Sequence, residues 1–517
     1  MASTLGLNRR DFVRAAASVA GATMISGHAL AQPATAQPPA KEPAKATGPV
    51  RSPNHPDLVI DLARFVVNLR TQDLAPEVIE FAKNDILDTL SCGLAGSSAP
   101  AIEEVSELVK EWGGAAQADV FVWGGKYPAH HAAWVNSGMC HARDYDDTHD
   151  AAILHAGVSI VPAAIAAGQM AGKMSGSDLI ASVVAGLEVM CRLGVGVKVD
   201  IVESGYMYSS LLGYFGATAA AGRALGLNET EMVNAFGIVY SSAAGNHQVT
   251  RDASLMKRLQ PGLAAQAAVA SVQLAKRGIR GVQNVFEGAD GFNRVYLHDR
   301  VDSDIVRNQL GKRFELLNLS FKPYPCCRDT HSSIDAILEV KKTLQCSPDD
   351  IESIQVGVTA PGYQMVCVPE AVRLAPKTIV EAQFSIPYTV AAAWIDGPLR
   401  MDHFTEDGIK RTDILKLAGR VKPYVDADID RDWRRFVTPS KVRVVLRDGR
   451  AFEARVNYPK GSPKNMMTAS ELSAKSADCA TYAVKPMAVD TAARLASTVQ
   501  QLETLPDIST LVRLMIA

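Results

Sequence analysis

Residues 141–166 read HARDYDDTHDAAILHAGVSIVPAAIA, and the first fifteen of them hold four aspartates and three histidines before the chain turns almost wholly apolar. Apolar residues on both sides leave such a cluster little room at the surface, and ionisable groups pressed against a core helix are how a buried site with shifted pKa values is built. A solvated acidic loop is the plainest alternative. A divalent-metal site is a second, because Asp144, Asp147, His149 and His155 are all competent ligands. Proton-transfer chemistry is the third.

On both sides of this stretch, from Asp57 to about Val301, the chain reads as helix after helix. Ile79, Phe81, Ala82, Ile86 and Leu90 fall at helical spacing behind Pro76, a good first-turn residue. Residues 216–227 and 263–277 are alanine-dense, as expected where helices pack closely in a bundle. Beyond about residue 310 the period changes. Residues 351–359 alternate in the strand manner, and residues 441–458 form a hairpin pattern whose turn is Asp448-Gly449. Helical stretches at 332–344 and 384–395 lie between these strands, so the mixture reads as α+β. Residues 471–504 return to helical spacing. The expected fold is mainly α: a large all-helical domain over 53–310, a smaller α+β domain over 311–462, and C-terminal helices over 463–517 that rejoin the helical domain.

The amino terminus reads as an address. Residues 8–14 (NRRDFVR) resemble a twin-arginine export signal, a weakly apolar stretch follows to Ile25, and Ala29-Leu30-Ala31 offers a cleavage site before Gln32. Residues 1–31 are therefore expected to be a signal peptide for a periplasmic protein, and the Pro/Ala-rich residues 32–52 a flexible linker. No later apolar run reads as long and charge-free enough to span a bilayer, so no membrane association is expected after cleavage. With 517 residues and a net charge of -2, the chain can bury a large core in more than one domain. It lacks a basic patch interleaved with aromatics, which argues against nucleic acid. Its eight cysteines are scattered without a disulfide framework. The adjacent Cys326 and Cys327 read as packing or site-lining residues, since neighbouring cysteines seldom pair with each other.

Several separated blocks share one resemblance. HAAWVNSGMCHARDYDDTHD, ILHAGVSIVPAAIA, MKRLQPGLAAQAAVA, FKPYPCCRDTHSSIDA, QFSIPYTVAAAWIDG and NYPKGSPKN, in this order across roughly residues 55–475, resemble the successive blocks of the MmgE/PrpD family. That family includes 2-methylcitrate dehydratase, cis-aconitate decarboxylase and iminodisuccinate epimerase. The resemblance implies that the smaller domain is a lid over the helical one, with the site between them, no metal or other cofactor, a homodimer, and a small di- or tricarboxylate substrate. It implies a site of Asp144, Thr148, His155, Lys257 and Tyr388 as catalytic residues, with Lys322, Cys327, Met207 and Arg258 binding substrate.

The family's reactions develop negative charge at carbon next to a carboxylate. Lys257 and Lys322 are suited to bind substrate carboxylates and hold that charge. His155 is the expected general acid or base. Asp144 orients a neighbouring histidine or acts as a base itself, and Thr148 donates a hydrogen bond.

Two positions depart from the family pattern. A Gly-x-His-Pro-Thr segment is Gly205-Tyr206-Met207-Tyr208-Ser209 here, and a histidine common after the MKRL lysine is Gln260. The expected activity is a cofactor-independent lyase, with dehydration ahead of decarboxylation and epimerisation. A carboxylate-binding protein without turnover and a metal-dependent hydrolase are the competing classes.

Overall fold

The computed structural model describes residues 56–199, 201–433 and 439–517. The signal-peptide and linker expectations, 1–31 and 32–52, lie outside the described residues. Helix accounts for 58% of the structure and the sheets are small, which makes the fold mainly α.

Two large apolar cores organise it. The first is built by the helices Pro76–Gly96, Ala129–His141, Gly157–Met170, Gly176–Gly196, Gly213–Ala224 and Met256–Lys276. Their small residues let the axes approach closely: a Cβ at Gly186 would stand 2.8 Å from the Gly216 carbonyl oxygen, so this crossing requires glycine. The helix Gly176–Gly196 corrects one sequence expectation, because on length and composition it would cross a bilayer. It is instead a core helix, with 94% of its apolar window buried inside the protein. Its fully buried Glu188 and Arg192 pair with each other. Arg192 also donates to the Val306 and Asn308 carbonyls at 2.9 and 2.8 Å, while Glu188 accepts from the Glu315 amide at 2.7 Å. A buried charge pair is tolerable when its remaining valences are hydrogen-bonded in this way.

The second core gathers residues from Tyr324 to Val456 around a four-stranded sheet. In order across the sheet, the strands are Val421–Val425, Ile351–Val358, Ser440–Leu446 and Ala451–Val456, the first pair parallel and the others antiparallel. The last two form the hairpin expected from the sequence, with Gly449 at φ 88° in its turn. The helices His331–Thr343 and Ile386–Asp396 pack against this sheet and each other. Further on, Ala469–Thr481 and Thr491–Gln500 pack on Pro76–Gly96, and their Leu472, Leu495 and Val499 enter the first core.

A short ribbon absent from the sequence expectation ties the acidic loop to the start of the second core. Thr148–His149 pairs antiparallel with Leu319–Ser320, in the register Thr148 to Ser320. Phe321 then closes the first core and Tyr324 opens the second, leaving Lys322 between them and beside the acidic loop.

Candidate active site

The acidic loop leaves the carboxyl end of helix Ala129–His141 and turns sharply at Asp144, whose φ of 53° lies in the left-handed region that most residues avoid. That turn points the Asp144 carboxylate at two lysines. Lys257, in the first turn of Met256–Lys276, makes a direct ion pair with Asp144 Oδ1. Lys322 lies 3.4 Å from Oδ2 and donates to the Asp144 carbonyl at 3.0 Å. Burial pushes the Asp144 carboxyl up, but the two ammonium groups outweigh it and hold it well below the usual carboxylate range. Asp144 is therefore a fixed anion and a poor base. Two lysines converge here on one aspartate, and an ammonium group with N–H donors to spare suits an incoming carboxylate.

The histidine is oriented by different groups from those expected. His155 Nδ1 stands 2.6 Å from the Asp147 carbonyl oxygen and 3.0 Å from Asp146 Oδ2. A carbonyl oxygen only accepts, so Nδ1 carries the hydrogen and Nε2 is the basic nitrogen. Asp146 Oδ2 also accepts from His141 Nδ1 at 2.9 Å. Burial pushes Asp146 up, and the imidazoles of His141 and His155 more than offset it, leaving this carboxyl well below its usual range. Burial drives His141 down to about 4, so it is neutral near pH 7. The orienting role assigned to Asp144 thus belongs to Asp146 and the Asp147 carbonyl.

Asp147 itself faces the amino terminus of helix Gly157–Met170, accepting from the amides of Ala156 and Gly157, both at 3.0 Å. Burial, followed by the Asp146 charge, still raises it to about 8. His149 Nε2 lies 3.4 Å from Glu315. The four residues read as alternative metal ligands, Asp144, Asp147, His149 and His155, are therefore engaged with four different sets of neighbours. Among the described residues, His141, Asp146 and His155 do bring ligand atoms within 4.8 Å of one another. With Nδ1 of His155 carrying a hydrogen for a backbone carbonyl, that nitrogen does not ligate without breaking this bond, so the trio fits a hydrogen-bonded relay better than a metal centre.

The site opens on a small cleft with a cavity volume of about 60 Å³. Asp144, Thr148, His155, Met207, Lys257, Lys322 and Cys327 all line it. Two residues named from the sequence do not. Tyr388 is fully buried in the second core, its hydroxyl held by the carbonyls of His403 and Gly408 at 2.6 and 3.1 Å. Arg258 follows Lys257 by one residue, about 100° around the helix, and its guanidinium donates instead to the Pro100 carbonyl at 3.1 Å.

The cleft also holds residues that sequence reading missed. Phe384 stacks its ring 5.6 Å from the Lys257 ammonium. Arg328 reaches Asp150 at 3.2 Å, and burial raises Asp329 to about 6. Ile153 lines the cleft at φ 52°, an uncommon conformation for a β-branched side chain and the kind of strain that collects at functional sites. His247, Ser209 and Thr250 complete the wall beside Met207. His247 lies in an irregular loop with no periodicity to reveal it. The Cys327 thiol is pushed well up by burial and by Asp329, so it lines the cleft as a neutral group.

Two buried lysines and an imidazole with a fixed tautomer thus meet in one cleft. The chain belongs to the MmgE/PrpD family: the family's N-terminal domain matches residues 60–303 and its C-terminal domain residues 324–501. It is similar to the cis-aconitate decarboxylase of Aspergillus terreus strain NIH 2624 / FGSC A1156, 25% identical over 426 residues, or 78% of this chain and 86% of the relative. It is also similar to the cis-aconitate decarboxylase of Homo sapiens, 27% identical over 468 residues, or 88% of this chain and 93% of that one.

Proposed function

We propose that this protein is a lyase that breaks a bond next to a carboxylate in a small di- or tricarboxylic acid, and that decarboxylation is its reaction. The observation carrying this reading is the convergence of Lys257 and Lys322 on Asp144 in a cleft that His155 also lines. The lysines bind a retained carboxylate of the substrate and stabilise charge as it spreads onto the oxygens, the contribution that commonly dominates such catalysis. As the carbon–carbon bond to the departing carboxylate breaks, its electron pair moves into the adjacent unsaturated system and carbon dioxide leaves. His155, protonated at Nε2 by solvent beforehand, then delivers that proton to carbon and returns to the neutral form with its hydrogen on Nδ1.

Dehydration was the favoured expectation from sequence. It needs an acid for the departing hydroxide, and the thioether of Met207 transfers no proton. The similarity to cis-aconitate decarboxylases favours decarboxylation instead. Incubating purified protein with cis-aconitate and with 2-methylcitrate tests the choice. Carbon dioxide released from the first, faster than water lost from the second and unaffected by a chelator, supports the reading. Dehydration of 2-methylcitrate as the faster reaction would reverse it.

We further propose export through the twin-arginine route. Replacing Arg9 and Arg10 with lysine should then hold the protein in the cytoplasm; undiminished periplasmic protein would refute the assignment.

A further inference from the structure

The two departures from the family pattern, Met207 and Gln260, flank one loop, which leads from Ala244 to His247. The His247 amide donates to the Gly205 carbonyl at 2.8 Å, which fastens its loop to the segment carrying Met207. Gln260 grips the preceding residue from both sides: its Oε1 accepts from the Asn246 amide at 2.8 Å and its Nε2 donates to the Asn246 carbonyl at 3.1 Å. Ser210 adds a bond to the Ala244 carbonyl at 3.1 Å. The loop also runs tight against its support, since a Cβ on Gly245 would stand 3.2 Å from the Met207 carbonyl oxygen. An irregular loop held this firmly, with an imidazole on the cleft wall, is a preorganised binding element.

We infer that His247 is a substrate-contacting, specificity-determining residue that binds the third carboxylate of a tricarboxylate substrate on the Met207 side of the cleft, and that Gln260 is its positioning residue. This deepens the proposed function and rests on it. Three features support the assignment. His247 and Met207 share the wall, with Ser209 and Thr250 adding hydroxyls, while Lys257 and Lys322 line the same cleft. The Met207 side chain offers no strong hydrogen bond, so polar recognition here falls to the imidazole and the hydroxyls. With methionine at 207, the imidazole beside it on this wall is that of His247.

The test is calorimetric, with propane-1,2,3-tricarboxylate and glutarate as inert probes that differ by one carboxylate. The natural protein should bind the tricarboxylate at least tenfold more tightly. His247→Asn should abolish that preference while leaving glutarate affinity within about twofold. Gln260→Met should lower the preference as His247→Asn does, and the double variant should lose no more than either single one, with thermal midpoints checked for each.

An intact preference in His247→Asn would overturn the inference while leaving the carboxylate site standing. Additive losses in the double variant would overturn the positioning role of Gln260. If neither probe binds the natural protein, or if Lys257→Met binds both as well as the natural protein does, the proposed function itself fails and the inference with it.

Discussion

His155 Nδ1 lies 3.0 Å from Asp146 Oδ2, and the same nitrogen is 2.6 Å from the Asp147 carbonyl oxygen. This pairing fixes the tautomer and leaves Nε2 as the nitrogen available for chemistry. His155→Gln should therefore retain the thermal midpoint and lower turnover by about two to four orders of magnitude, the usual range for a general acid or base. Steady-state kinetics beside a melting curve checks it, and wild-type turnover would remove His155 from the reaction.

Lys257 sits in the first turn of its helix against Asp144, with Phe384 beneath its ammonium. Lys257→Met should lower turnover by about two to three orders of magnitude, the scale for losing one charge-stabilising donor. Loss of its partner also leaves Asp144 with Lys322 alone, so the variant's activity is to be compared at equal folded fraction, measured by circular dichroism.

The acidic loop predicts two opposed pH slopes in stability. His141 falls to about 4 on folding from an ordinary 6.5, so the unfolded chain binds more protons between these values and stability is lost as pH drops through that window. Asp147 rises to about 8 from 3.8, so the folded chain binds more protons and stability is lost as pH climbs from about 4 to about 8. His141→Gln should expose the second slope and Asp147→Asn the first. Chemical denaturation at pH 5, 6, 7 and 8 measures both, and slopes of the opposite sign would contradict the assigned protonation states.

Much of this arrangement was legible in the chain. The helical register behind Pro76, the alanine-dense crossings and the Asp448-Gly449 hairpin depend on local periodicity and turn chemistry, which sequence records directly. Asp144, His155, Lys257 and Lys322 stood in blocks whose resemblance to the family already implied a site for a small carboxylate. What escaped depends on tertiary geometry. The two-residue ribbon between Thr148–His149 and Leu319–Ser320 is too short to show alternation, yet it places Lys322. Tyr388 and Arg258 sit in the expected motifs but turn away, because a motif fixes a residue's place on a helix and packing decides what that face meets. Asp146 was visible in the same cluster, and only the distances separate its role from that of Asp144.

Met207 gives a prediction about reaction choice. Placing an imidazole at that position supplies a proton donor on the wall where the natural protein has a thioether. Met207→His should raise dehydration of 2-methylcitrate above the low level expected of the natural protein. Comparing both proteins on 2-methylcitrate and on cis-aconitate reads the change, and efficient dehydration by the natural protein would show that Met207 does not limit that reaction.

The central claim is that this cleft stabilises negative charge at carbon beside a carboxylate and moves a proton through His155. It is tested most directly by proton NMR of citrate, 2-methylcitrate, cis-aconitate, malate and amino-dicarboxylates incubated with purified protein in deuterated water. The account predicts deuterium entering a carbon position of at least one of these acids, with or without net conversion, and no such incorporation with His155→Gln. Absence of both exchange and turnover for every acid in the natural protein, or undiminished exchange in the variant, would contradict it.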